Sequence, residues 1–284
     1  MTTQTFTATA AGPIWADVIS HIGTVNVTVD RTLKNALITV STPDEEGPVA
    51  DAVRDTTSRE HTSNGVNVLE VRVPKVNGGG NTFTGGGGFS TTTMTVGGNT
   101  FTVSGSGGVS MVGGDIYMGG KKIVENGRVI AEQGTVVGGA GGSGTVTVDV
   151  RLPELSSVRL DTTSADLDVR RGDLQVLDVQ SVSGDVRAKG VHTLRGNLTS
   201  GDLEVERVEA KVDISSVSGD LEIGAYNGSD LRANSVSGDI DVSTTPAATG
   251  FFTASTVSGD IEARGAHHLN PRLSTVSGRV RPRR

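Results

Sequence analysis

The sequence predicts an all-β protein that coils as a parallel β-solenoid with roughly 19 residues in each coil. Three observations predict this fold: a tetrapeptide that repeats, apolar residues at alternate positions around it, and few aromatic residues. The tetrapeptide Val-Ser-Gly-Asp returns along the C-terminal half at steps of about 17 to 21 residues, a range typical of stacked supersecondary units. Full copies begin at Val182, Val217, Val236 and Val257, and looser copies begin at Thr163, Thr199 and Val276.

Aromatic residues make up 3% of the 284 residues, while Gly alone occurs 40 times. A large globular core usually contains more bulky side chains than this. A solenoid does not need them, because each coil buries a thin layer of Val, Ile and Leu against matching neighbours. The composition therefore favours a repeat architecture over a compact α/β enzyme.

The apolar pattern shifts by one position inside each repeat. Leu231, Ala233 and Ser235 are in phase with one another. The next residues are one position out of phase with them and form the set Val236, Gly238, Ile240 and Val242. This shift predicts a corner or bulge, because otherwise the apolar face would rotate into solvent. We expect the Val and Gly of each tetrapeptide to point inward there, where a side chain in place of Gly would crowd the next coil.

The chain divides into three predicted regions. Residues 1–74 alternate in the manner of strands, as in Thr24–Val29, and are expected to pack onto the solenoid; Val49–Arg54 is predicted to form one or two helical turns. Residues 75–144 are predicted to be a Gly- and Thr-rich insert with short strands and hairpins, since Asn126-Gly127 is a strong hairpin signal. Residues 145–284 carry the regular repeats. An antiparallel β-meander or sandwich, with Gly at the turns, is the alternative fold.

The charge and composition exclude several classes of partner. The formal net charge is −7, with Asp and Glu spread along the chain. Nucleic acid and anionic membranes attract basic surfaces, so neither is an expected partner. No segment has the roughly 20 apolar residues of a membrane-spanning helix, so membrane insertion is not expected. Cys is absent, which excludes disulfides, thiol nucleophiles and thiolate metal sites.

The two ends of the sequence also carry predictions. Met1–Phe6 has neither the basic start nor the apolar run of a secretion signal. We therefore expect a cytoplasmic protein, with export by a non-classical route as the alternative. Arg279–Arg284 is the one basic cluster, and we interpret it as a solvated terminus, with an anionic partner as the alternative. Arg279 and Pro282 are also features that stop end-to-end pairing of a terminal coil.

The repeated Ser-Gly-Asp with alternating apolar residues, as in Ser218–Ile223, resembles the bacterial adhesin-like β-strand-repeat domains of unknown function. The resemblance is good over Val146–Val280 and loose over the N-terminal strands. It implies a right-handed β-helix as the fold. It brings no catalytic residue to any position of this sequence.

The Asp residues of the repeats are the first candidate for a site. If the coils stack in register, these carboxylates lie about 4.8 Å apart along an outer face, and like charges at that spacing need relief. Each Asp is predicted to accept hydrogen bonds at its corner, while Ca²⁺ or another cation bound along the column is the functional alternative. The column consists of Asp166, Asp185, Asp202, Asp220, Asp239 and Asp260.

Catalytic chemistry has little support in the sequence. Asp185 with Asp202, or Glu204 with Glu222, are the carboxylate pairs that polysaccharide cleavage would use, but aromatic platforms for sugars are nearly absent. The five His residues are scattered. In His267-His268 the two side chains are expected on opposite faces of a strand, which is poor geometry for a metal. We therefore predict no enzyme activity, no catalytic residue, no metal and no cofactor.

The sequence thus predicts a non-catalytic solenoid scaffold or adhesin-like module that binds a protein partner or associates with itself. The alternatives are a self-assembling structural filament and a module that binds cations or glycans.

Overall fold

A computed structural model gives the fold and describes residues 1–75, 90–96, 99–105, 109–112, 115–118, 121–125, 128–129, 145–269 and 271–283. Within those ranges the chain forms 24 strands, one α-helix and one 3-10 helix, which confirms the all-β class. The first twelve strands are β1 (Thr2–Ala11), β2 (Trp15–Ile19), β3 (Ile22–Val29), β4 (Asn35–Thr42), β5 (Thr57–Ser63), β6 (Val66–Arg72), β7 (Ser90–Val96), β8 (Asn99–Gly105), β9 (Val109–Val112), β10 (Asp115–Met118), β11 (Lys121–Glu125) and β12 (Arg128–Val129).

The remaining strands come after the Gly-rich segment. They are β13 (Thr147–Leu152), β14 (Ser157–Thr162), β15 (Ser164–Ser183), β16 (Val186–Ser200), β17 (Leu203–Ser218), β18 (Leu221–Tyr226), β19 (Asp230–Ser237), β20 (Ile240–Thr244), β21 (Phe251–Ser258), β22 (Ile261–Arg264), β23 (Arg272–Ser277) and β24 (Val280–Arg283). The α-helix is α1 (Pro48–Arg54), and the 3-10 helix covers Ala266–His268.

The chain forms two compact units. The first consists of Met1–Gln4, Val40–Thr56 and Val73–Val146. It contains α1, where the sequence predicted helical turns, and Ala50 and Val53 of this helix are buried. The antiparallel pair β7–β8 and the antiparallel strands β9 to β12 also belong to this unit. Asn126-Gly127, the predicted hairpin turn, lies outside the described residues, and the predicted three-region division of the chain stays a prediction.

The second unit consists of Thr5–Thr39, Thr57–Arg72 and Thr147–Arg284, and it contains the solenoid. Its strands stack in two parallel columns. One column places β2 between β6 and β14 and continues through the C-terminal parts of β15 to β17 to β19, β21 and β23. The other places β3 between β13 and β15 and continues through the N-terminal parts of β15 to β17 to β18, β20, β22 and β24.

The register between neighbouring coils confirms the parallel solenoid. Leu221 pairs with Ile240, Ile240 with Ile261, and Ile261 with Val280. Equivalent corner residues of successive coils are separated by 17, 18, 19 or 21 residues, in agreement with the predicted period. The alternative antiparallel meander is therefore wrong for the repeats. The right hand of the coil stays a prediction.

The core of the second unit is a stack of aliphatic layers. Inward residues such as Val212, Ile214 and Leu231 are fully buried, while the residues between them face solvent. Larger side chains enter where the connections widen, and Tyr226 is one of the largest buried ones. Burial raises the pKa of the Tyr226 hydroxyl to about 12. A core of thin aliphatic layers between two columns of strands needs few aromatic side chains, which agrees with the low aromatic content of the sequence.

The phase shift inside each repeat lies where the sequence predicted it, but the corner is wider than expected. Ser235 is buried and Ile240 is buried, with Val236, Ser237 and Asp239 exposed between them. The prediction that Val236 and its equivalents point inward is wrong, because the chain turns directly after Ser235. The last inward residue before the turn is small and polar in most coils and is Leu198 in one. In three coils its hydroxyl donates to a corner carbonyl: Ser216 to Ser218 at 3.2 Å, Thr256 to Gly238 at 3.4 Å and Thr275 to Gly259 at 3.1 Å.

Candidate functional site

The repeated tetrapeptide forms one corner of every coil, and we call the stacked corners from residue 163 to residue 279 the corner column. Close approach of the backbones explains its Gly residues. A Cβ added at Gly238 would lie 2.2 Å from the carbonyl oxygen of Gly219, and the equivalent distances at five other corners are 2.0 to 2.4 Å. Gly238 also has φ of +139°, which L side chains rarely adopt. The prediction that a side chain here would crowd a neighbouring coil is correct, the neighbour being the preceding one.

The six Asp residues of the predicted column do lie above one another and are joined in series. The Oδ1 atom of each Asp accepts the backbone N–H of the corner residue in the next coil. Asp220 Oδ1, for example, accepts the N–H of Asp239 at 2.8 Å. The other bonds of the ladder are Asp185 N–H to Asp166, Asp202 to Asp185, Asp220 to Asp202, Asp260 to Asp239 and Arg279 to Asp260, at 2.7 to 3.1 Å.

The backbone carbonyls of the Asp residues from Asp185 to Asp260 complete the connection. The N–H of Ile240 donates to the carbonyl of Asp260 at 3.0 Å, and Leu221 and Leu203 donate in the same way to Asp239 and Asp220. Each corner is therefore tied to the next coil by a side-chain acceptor in one direction and a main-chain acceptor in the other. At the turn the main chain leaves the regular pattern of hydrogen bonds between parallel strands. The carboxylate supplies an acceptor for a backbone N–H at this point. This series of bonds is the aspartate ladder.

The ladder also relieves the repulsion between stacked carboxylates. Each carboxylate accepts a backbone N–H, whose partial positive charge lies between one carboxylate and the next. Arg187 adds a cation in the middle of the column, with Nη2 at 3.2 Å from Asp185 Oδ2 and Nε at 3.6 Å from Glu204 Oε2. Whether the column also binds cations stays a prediction.

The carboxylate pairs considered for glycoside cleavage are structural neighbours in the stack. Asp185 Oδ1 accepts the N–H of Asp202, so this pair is connected through the ladder. Glu204 and Glu222 stand at equivalent positions of consecutive coils, two residues after the ladder, in a second outward column. Their arrangement is that of a repeating surface rather than of two groups that converge on a cleft.

The His pair differs from the expectation. His267 and His268 lie in a 3-10 helix and not in a strand, so their rings are edge to face with centroids 5.5 Å apart. His268 Nε2 lies 3.0 Å from the carbonyl oxygen of Ala248. Among the described residues no three His, Asp or Glu side chains are grouped so that they could hold a metal ion. In the same ranges, no helix has the length and apolar character to cross a membrane.

The exposed Val residues of the corner were missed by the sequence analysis. They lie on the outside of the corner column, beside a parallel row of exposed Ser residues paired in register, and one coil interrupts them with Thr199 between Val182 and Val217. We call this row of Val side chains the valine ridge. Its members and their exposed fractions are Val182 (52%), Val217 (50%), Val236 (49%), Val257 (49%) and Val276 (80%). A cue existed, since Val comes directly after a residue already assigned to the interior, and two adjacent residues of a strand cannot both point inward.

Comparisons with known proteins agree with this architecture. The family model described as Toastrack DUF4097 matches residues 57–278. A candidate adhesin from Bacteroides fragilis is 14% identical, with a TM-score of 0.50, over 99% of this chain and 96% of that one. A candidate adhesin from Parabacteroides merdae is 11% identical, with a TM-score of 0.42, over 100% and 97%. No curated protein matches the sequence. At 14% identity the first similarity shows a shared fold.

Proposed function

The chain belongs to the Toastrack DUF4097 family, and we propose that it is a non-catalytic, adhesin-like module that binds a protein partner along the valine ridge. The observation that carries the proposal is the exposure of Val217, Val236 and Val257 by about half in consecutive coils. A single exposed Val is common on protein surfaces, whereas exposed Val residues in consecutive coils form a patch. A contiguous apolar row rimmed by polar residues is typical of an interaction surface.

The stacking of the coils gives the ridge its shape. Because Ser218, Ser237, Ser258 and Ser277 pair in register, the neighbouring Val residues lie in a straight row with the spacing of strands, about 4.8 Å. The Ser hydroxyls on one side offer donors and acceptors to a partner's backbone. A long, rigid and repetitive surface of this kind suits an extended partner segment, since little of the chain's own entropy is lost on binding.

Two features favour binding over catalysis. The corner carboxylates are engaged in the aspartate ladder, and the second carboxylate column is a flat repeating surface. The structural neighbour from Bacteroides fragilis, which is described as a candidate adhesin, supports an interaction role. The predicted cytoplasmic location is tested separately: the native host is fractionated, and an antibody to the chain shows which fraction contains it.

The test compares two triple variants with the wild-type chain. Val217→Thr/Val236→Thr/Val257→Thr removes the apolar row but keeps the β-branched shape, and Val217→Ile/Val236→Ile/Val257→Ile keeps the row apolar. Each purified chain is immobilised, and the proteins captured from the native host are quantified by mass spectrometry. We expect a defined protein to be captured by the wild-type and Ile chains and to fall at least tenfold with the Thr chain.

The wild-type chain capturing the same proteins in the same amounts as the Thr variant would contradict the proposal. The thermal unfolding midpoints of the three chains serve as the control. Since the substituted side chains are half-exposed and stay β-branched in both variants, the midpoints should agree within a few degrees. Fibres of the wild-type chain in electron micrographs would favour the alternative of a self-assembling filament.

A further inference from the structure

The C-terminal coil, formed by β23 and β24, has an open edge. β23 pairs with β21 and β24 pairs with β22, with no described strand on the other side of either. The end of the core is uncovered as a result. Val280 is 38% exposed, while Ile261, at the same position of the preceding coil, is 0% exposed. This edge therefore offers both backbone groups and apolar surface to a further strand.

The open edge has the opposite charge from the rest of the corner column. Arg279 stands where six preceding coils carry Asp, and Arg281 stands where Glu262 and Glu222 stand below it. From residue 265 onward the sequence has five Arg and no Asp or Glu. Both guanidinium groups lie near Asp260 Oδ2, Arg279 Nε at 3.5 Å and Arg281 Nη2 at 3.7 Å, so a single carboxylate faces two cations.

The backbone at this corner also lacks its usual continuation. In interior coils the N–H of Gly238 donates to Ser258 and that of Ile240 donates to Asp260, both in the next coil. By the same register the N–H groups of Gly278 and Val280 point toward the open edge. Arg279 brings no carboxylate to accept an N–H from a further strand. The edge thus presents backbone groups together with cations, and a strand with negatively charged side chains fits it.

We propose that the open edge of the C-terminal coil binds an extended acidic segment of a partner protein with the pattern carboxylate–aliphatic–carboxylate. Asp260-Ile261-Glu262 already packs in this pattern against Arg279-Val280-Arg281 from below. A segment of the same pattern added from above places its aliphatic residue on Val280 and its carboxylates beside the two Arg side chains. Such strand addition is an established mode of peptide recognition.

A second copy of this chain does not supply the segment. The solenoid strands with the pattern, such as Asp239–Asp241, are paired on both sides. Of the two edge strands at the other end, β1 has no acidic residue, and β5 has one, Glu60, whose carboxylate accepts the N–H of Thr9 at 2.6 Å. The occupant is therefore a different protein.

The test uses the full chain and two synthetic peptides. The first peptide copies Asn234–Thr244, which carries Asp239-Ile240-Asp241, and the second has Lys in place of both Asp. Binding is measured by NMR shifts of the Gly278 and Val280 amides and by fluorescence anisotropy. We expect the Asp peptide to shift both amides and to bind at least tenfold tighter than the Lys peptide. Added salt should weaken this binding.

Charge reversal separates recognition from folding. In Arg279→Glu/Arg281→Glu the preference should invert, so that the Lys peptide binds at least tenfold tighter than the Asp peptide. Inversion requires the coil to remain in place, so it cannot come from a coil that has detached. In Arg279→Gln/Arg281→Gln the two peptides should bind equally.

Three outcomes overturn the proposal: no amide shift at millimolar peptide, equal affinity of the wild-type chain for both peptides, or shifts at β1 and β5 instead of β24. The Thr variant of the valine ridge should bind the Asp peptide with wild-type affinity. The edge and the ridge are therefore tested independently, and either can fail alone.

Discussion

An interior coil and the C-terminal coil share the Val-Ser-Gly of the corner and differ in the next two residues. In the interior coil the corner ends in Asp239, whose carboxylate accepts an N–H from the next coil, and the adjoining Ile240 is buried. In the C-terminal coil the corner ends in Arg279, and the adjoining Val280 is partly exposed. The Gly of the corner therefore serves packing toward the preceding coil, while the Asp serves the connection to the next one. Gly278 packs closely on Gly259 as the interior Gly residues pack on their preceding coils, whereas Arg279 brings no carboxylate acceptor.

The largest expected effect comes from Gly. Gly238→Ala forces a Cβ against the Gly219 carbonyl in the middle of the stack, at a backbone conformation unfavourable to Ala. We expect a loss of about 3 kcal/mol or more in the free energy of unfolding, from steric overlap and strain together. Gly278→Ala creates the same clash against Gly259, but the C-terminal coil can separate locally and so relieve it. Urea unfolding of the two variants checks this, and equal losses would show that the two coils are equally coupled.

The second effect is a pH dependence that belongs to the interior coils. The pKa of Tyr226 is raised to about 12 by burial, above its ordinary value of 10.0. The buried neutral hydroxyl contributes its full stability below pH 10 and loses it as the pH rises toward 12. In that window the free energy of unfolding should fall by about 1.4 kcal/mol per pH unit more steeply in the wild-type chain than in Tyr226→Phe. Urea unfolding of both chains between about pH 8 and 11.5 measures the difference, and parallel curves would contradict it.

The third effect isolates the aspartate ladder. Asp220→Ala removes the acceptor of the Asp239 N–H, so we expect a loss of about 1 kcal/mol. Asp220→Asn keeps an oxygen in that position and should lose less than half as much. Thermal unfolding of both variants is the measurement. If Asn destabilises the chain as strongly as Ala does, the negative charge and not the hydrogen bond is what matters.

The smallest effect concerns the terminal position. Arg279→Asp restores the residue of the interior corners but adds a carboxylate with no N–H above it, and it removes the contact between Arg279 and Asp260. Since the Arg279 side chain is 74% exposed and the two charged groups are 3.5 Å apart, we expect a loss of no more than about 0.5 kcal/mol. Differential scanning calorimetry should show a shift of less than a few degrees. If Arg279→Asp clearly stabilises the chain, an Asp at a corner contributes to stability even without an N–H donor from a next coil.

The repeat and its corner could be predicted from the sequence because a period-2 pattern must break where a strand turns. The stacking of Asp220 below Asp239 came directly from that period. The orientation of Val236 could not be obtained in the same way, since an apolar residue beside a corner was assigned to the interior on its chemistry alone. The insertion of β2 and β3 between later strands is set by contacts more than a hundred residues apart in the chain, for which the local pattern holds no signal.

Amide hydrogen exchange at Asp239 tests most directly whether the ladder couples consecutive coils. The Asp239 N–H should exchange slowly in the wild-type chain and in Asp220→Asn, and much faster in Asp220→Ala, with the Leu231 amide of the same coil as the internal reference. If the Asp239 amide keeps its wild-type exchange rate relative to Leu231 in Asp220→Ala, the carboxylate does not hold the next coil and the account is contradicted.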